Sequence, residues 1–218
     1  MAARVSGRVA HRLPGALLAA FALAALVELV SVAVDARTGQ LLAKPLLMPL
    51  LAAYVAARGG PRLLVAALLL GWGGDVFLLS SADGSFLAGM GCFAAGHLCY
   101  LVLFGRRRTR AGQGLALGYG LALVVALALL WSGLPAELRV PVAVYSLLLA
   151  AMACRASALG PLAGAGGALF LLSDTLIATG VADRPQPPAA DLWIMLTYIA
   201  AQALLTAGIL RSRPRTHD

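Results

Sequence analysis

Leu68-Leu69-Leu70-Gly71-Trp72-Gly73-Gly74-Asp75-Val76-Phe77-Leu78-Leu79 is an apolar run interrupted by a single carboxylate, with small residues just before it. A second stretch, Gly166-Gly167-Ala168-Leu169-Phe170-Leu171-Leu172-Ser173-Asp174-Thr175-Leu176-Ile177, has much the same build. An ionised carboxylate in hydrocarbon is expensive, so in a membrane helix it faces a bundle interior or a wet cavity and marks function. These two frames therefore decide two questions together: they read as membrane helices, and the aspartates within them carry the chemistry.

The rest of the chain agrees. Of its 218 residues, 61% are hydrophobic and 12% charged, with a mean hydropathy of +0.89. Soluble domains run near 25% charged and about 45–50% apolar, so the composition is that of an integral membrane protein. The formal charge of +8 comes from short basic clusters between apolar runs. That is membrane topology rather than a nucleic-acid groove, and no nucleic-acid partner is implied. Cys92, Cys99 and Cys154 form no C-x-x-C pair and read as small packing residues.

A spanning helix needs about 20 apolar residues. Eight candidates fall near 15–34, 41–57, 62–80, 86–104, 113–132, 138–156, 160–180 and 190–210. The expected fold is all-α: one polytopic membrane domain over residues 1–218, a bundle of eight transmembrane helices. Arg4, Arg8 and Arg12 before an apolar run imitate a signal peptide, but Glu28 interrupts the run, and cleavage would leave an odd number of helices; the helix is read as retained. Orientation follows from the basic residues. Arg4, Arg8, Arg12, Arg58, Arg62, Arg106, Arg107, Arg108, Arg110, Arg155, Arg211, Arg213 and Arg215 fall on one side, thirteen of the 17 Lys and Arg. The other side holds Arg37, Lys44, Arg139 and Arg184, with Asp35, Asp83, Glu137, Asp183 and Asp191. Both termini are thus expected in the cytoplasm, in a multi-pass protein of the cell (plasma or inner) membrane. Asp183-Arg184-Pro185-Gln186-Pro187-Pro188 is a stiff link that cannot continue a helix. Gly160-x-x-x-Gly164 and Gly114-x-x-x-Gly118 have helix-packing spacing. The matched aspartate frames also suggest an internal repeat relating helices one to four to helices five to eight.

In this topology helices one, three and seven run outward. Glu28, Asp75 and Asp174 each lie about 20 Å along a core about 30 Å thick, at 1.5 Å per residue. Lys44 is expected to start helix two on the outer side. His97 and Tyr100 lie one turn apart on one helix, and Tyr198 and Gln202 are spaced i,i+4 on another. Each has a structural reading beside a functional one. Lys44 can snorkel at the interface, and His97 can serve as a helix-to-helix hydrogen-bond donor. Tyr100, Tyr198 and Trp193 can be packing or belt aromatics. Glu28 can be paired with a polar neighbour, and Asp75 and Asp174 can be a buried hydrogen-bonded pair. No metal site is expected, because His11 and His217 lie in the tails, and no cofactor is implied.

Five blocks resemble a known family. They are Lys44-Pro45-Leu46, Gly74-Asp75-Val76-Phe77-Leu78-Leu79, Phe86-x-x-Gly89-x-x-x-Phe93-x-x-x-His97-x-x-Tyr100, Gly167-Ala168-x-Phe170-x-x-Ser173-Asp174-Thr175 and Tyr198-x-x-x-Gln202. Together they are similar to the YhhN-type, lysoplasmalogenase-like membrane proteins. The resemblance implies hydrolysis of the vinyl-ether bond of lysoplasmalogens to a fatty aldehyde and a glycerophospho-base. The partners it implies are a lysophospholipid substrate and the surrounding membrane lipids.

That chemistry suits the residues. Vinyl-ether hydrolysis begins with proton delivery to the β-carbon, and water then attacks the resulting oxocarbenium ion. A protonated carboxyl group can supply the proton. A second, ionised carboxylate can stabilise the cation and orient the water, as in glycosidases. Asp75 and Asp174 are the candidate catalytic pair, with either one as the acid. Lys44, His97, Tyr100, Tyr198, Gln202 and Glu28 are the candidate substrate-binding residues, Lys44 meeting the phosphate as a point charge. The alternative is a proton-coupled transporter using the same carboxylates.

Overall fold

The computed structural model describes the backbone of residues 2–80, 82, 84–105 and 111–212, and the side chains of 12–80, 82, 84–105 and 114–212. Of the orientation-setting residues, Asp83, Arg106, Arg107, Arg108, Arg110, Arg213 and Arg215 lie outside the described residues, as does His217. Arg4, Arg8 and His11 enter only as helix backbone.

Among the described residues the protein is eight helices: α1 (Ala2–Ala33), α2 (Arg37–Ala57), α3 (Arg62–Leu78), α4 (Ser85–Phe104), α5 (Ala111–Leu130), α6 (Ala136–Ser157), α7 (Pro161–Val181) and α8 (Ala190–Arg211). Six are long and apolar enough to cross a membrane: α2, α4, α6, α7, α8 and the Arg12–Ala33 part of α1. Of the other two, α5 has 20 residues and α3 has 17. The architecture is that of a polytopic helical membrane protein.

One expected boundary needs correcting. Helix two starts earlier than expected, at Arg37, and Lys44 stands about two turns inside α2 rather than at its beginning. The connection itself explains this. Asp35 takes a left-handed conformation with φ 53°, Asp35 N–H donates to Val32 O and Ala36 N–H to Ser31 O. This closes α1 with a Schellman turn and leaves no linker to spend before α2. Gly39 then lies so close to α1 that a Cβ there would come within 2.1 Å of Ser31 Oγ.

The chain divides into two compact units, Met1–Cys99 and Tyr100–Asp218. In the first, α1 packs on α2 and α2 on α3. The buried stripe of α1 is Phe21, Ala24, Glu28 and Ser31, whereas Leu23, Leu26, Val27 and Val30 are exposed. Polar groups inward and aliphatic groups outward reverse the pattern of a helix in water. Hydrocarbon solvates the leucines and leaves the carboxylate to the protein interior. The α3–α4 contact is made by glycines: Gly89 and Gly96 lie against the carbonyls of Gly74 and Ala67.

In the second unit α5 packs on α6, α6 on α7 and α7 on α8. Adjacent glycines on α7 serve both neighbours, Gly167 meeting Ala153 of α6 and Gly166 meeting the backbone at Ala201 and Leu205 of α8. Small residues let membrane helices approach where no hydrophobic driving force separates lipid from protein. Gly164 is also close-packed, against Ser157, but Gly114 and Gly118 face open space. The G-x-x-x-G spacing on α5 is therefore no packing seam among the described residues.

Candidate active site

In the first unit four expected residues are held on inward faces. Asp75 is 2% exposed and sits one residue after Gly74, whose missing side chain admits the Phe93 ring. A Cβ at Gly74 would come within 2.5 Å of that ring. His97, 1% exposed, follows Gly96 on the same close-packed helix. The aspartate and the histidine thus owe their burial to glycines beside them, which let the helices close over polar side chains. Glu28, also 1% exposed, lies near Lys44. Glu28 Oε2 has no hydrogen-bond partner among the described residues. Lys44 itself is half-buried.

In the second unit Asp174 accepts a hydrogen bond from the Tyr145 hydroxyl. The preceding side chain ties α7 to α8, Ser173 Oγ donating to Ile194 O at 3.0 Å, while Thr175 Oγ1 bonds back within α7 to Leu171 O at 2.7 Å. Tyr100 is buried and donates to Gln202 Oε1 at 2.7 Å. Those two expected residues are therefore each other's partners. Tyr198 is buried edge-on to Phe170 of α7, with ring centroids 5.5 Å apart at 86°. Trp193 is exposed, as a belt aromatic would be.

Tyr145 is the polar residue that sequence reasoning missed. It lies on α6, which carries none of the resemblance blocks, and an isolated tyrosine in an apolar helix gives no hint of a partner 29 residues away. The signal lay in α7 instead, where Gly167 brings α6 close.

Comparison with known proteins supplies the context for these side chains. The YhhN family model matches residues 39–209. This chain belongs to the YhhN family. The match includes every site residue above except Glu28. Among curated relatives, human "Lysoplasmalogenase TMEM86B" is 41% identical over 154 residues, covering 71% of this chain and 66% of the relative. The pig protein of the same name is 39% identical over 166 residues, 76% and 71% of the two chains. Bovine "Lysoplasmalogenase TMEM86A" is 34% identical over 160 residues, 66% and 64% respectively. The chain thus spans about two thirds of the length of these relatives. No solved structure matches it.

Proposed function

We propose that this YhhN-family protein is a membrane-embedded hydrolase that cleaves the vinyl-ether bond of lysoplasmalogen-like single-chain lipids. The observation that carries the reading is the 41% identity to a relative named for that activity. The residues present are suited to the reaction. One proton goes to the β-carbon of the vinyl ether, and water adds to the oxocarbenium carbon and returns a proton. The hemiacetal then breaks at its C–O bond to give a fatty aldehyde and the glycerophospho-base. Two carboxyl groups suffice for this, one donating the first proton, the other facing the cation and the water.

Asp75 and Asp174 take these roles in the proposal. Lys44 meets the lipid phosphate, with His97 and Tyr198 beside the reacting chain and Tyr100–Gln202 as a brace. Glu28 balances the Lys44 charge. The lipid enters from the bilayer of the cell membrane with its headgroup outward. The carrier reading draws no support from the relatives, whose names are those of hydrolases.

The test is direct. Purified protein in detergent is incubated with a lysoplasmalogen, and fatty aldehyde is quantified against heat-inactivated protein. Release of aldehyde and glycerophospho-base in equal amounts is expected. An absence of aldehyde, with substrate-dependent flux in sealed liposomes, would replace the hydrolase by a carrier.

A further inference from the structure

The proposed chemistry needs two carboxyl groups in different states, and the sequence leaves their assignment open. The geometry points to Tyr145 as a positioning residue that commits Asp174 to the ionised, cation-facing role and leaves proton donation to Asp75. This deepens the hydrolase reading and rests on it.

Four observations support the assignment. The Tyr145 hydroxyl donates to Asp174 Oδ2. A phenol O–H held on a carboxyl oxygen favours the acceptor, charged form of that group and limits its rotation. The helix that carries the tyrosine is pinned to the helix that carries the aspartate, since Gly167 lies against Ala153 and Ala156. The Asp174 backbone is itself tied on the other side by Ser173 Oγ on Ile194 O. A carboxylate held by a hydroxyl from α6, on a helix tied to α8 one residue earlier, is preorganised to face a charge that develops during reaction, the arrangement that gives electrostatic stabilisation its effect. Asp75 lies beside Gly74 on the tightly closed α3–α4 contact and is 2% exposed. With Asp174, only half-buried, committed to the ionised role, proton donation falls to the more deeply buried Asp75.

Binding of two inhibitors separates this from a structural role. One is a single-chain phospholipid with an ammonium in place of the vinyl-ether carbon that becomes cationic; the other is its uncharged ether isostere. Tyr145→Phe should weaken the cationic lipid about 10-fold, and Asp174→Asn about 100-fold, with the isostere unchanged in both. Asp75→Asn should leave the preference for the cation intact. In turnover, Tyr145→Phe should lower kcat rather than raise KM, and should cost nothing further in an Asp174→Asn background. Equal weakening of both lipids by Tyr145→Phe would make it a structural residue and overturn the inference. Loss of the cation preference in Asp75→Asn instead would reverse the roles and overturn it equally. Wild-type protein that releases no aldehyde while still preferring the cationic lipid would sink the hydrolase reading instead.

Discussion

At the scale of single residues, the site reduces to side chains that hydrocarbon makes costly. Asp75, Glu28, His97 and Gln202 are all buried in helices whose outward faces are aliphatic. Asp75→Asn and Asp174→Asn should each lower turnover about 10²–10⁴-fold while the protein still folds, because asparagine keeps shape but neither donates a carboxylic proton nor carries charge. Aldehyde release by the double variant should be little worse than by the poorer single one, as for groups that work as a unit. Near-normal aldehyde release by both single variants would return the pair to a structural role. Lys44→Gln should raise KM more than it lowers kcat, since a headgroup contact is much the same before and during reaction; steady-state kinetics on one lysoplasmalogen reads the difference. Both aspartates were legible in the sequence because a carboxylate in an apolar run stands out. Tyr145 was not, because its importance comes from the residue it touches.

At the scale of elements, helix position is decided by glycines that look alike in sequence and differ in what they meet. A Cβ at Gly166 would come within 3 Å of backbone atoms of α8, which cannot swing aside, whereas one at Gly118 would meet nothing within 4 Å. Gly166→Ala should therefore destabilise the protein by about 1–3 kcal/mol, the usual cost of overpacking a close contact. Gly118→Ala should be neutral or slightly stabilising, through helix propensity alone. Thermal unfolding of the two variants in the same detergent tests the contrast, and equal melting temperatures would contradict it. Helix limits were readable to within a few residues wherever Pro, Gly or charge ended an apolar run. They failed where α2 begins, because the polar Arg37–Gln40 stretch joins a helix that the Asp35 turn starts early.

At the scale of the whole molecule, the basic residues predict orientation. Reporter fusions after Arg110 and at the C-terminus should read cytoplasmic, and a fusion near Pro187 external. A C-terminus on the external side would remove the argument that α1, α3 and α7 run outward and place their carboxylates toward the outer leaflet. The exposed aliphatic faces, Leu23 and Leu26 on α1 and Leu117, Leu121 and Val124 on α5 among them, are what a lipid environment covers.

Composition, hydrophobic run length and carboxylate placement are local quantities. From them alone the chain was readable as an all-helical membrane protein, with Asp75 and Asp174 as its candidate chemical centre. The order of blocks along the chain was enough to suggest the family. Tertiary structure decided what depends on neighbours across helices. It made Tyr100 and Gln202 partners, set Tyr145 on Asp174, and separated close-packed glycines such as Gly166 from open ones such as Gly118. The physical reason is that an apolar helix in a membrane has no polar face to announce which side turns inward. Hydrocarbon accepts every aliphatic side chain alike, so the inward face is chosen by backbone approach and by polar groups finding one another.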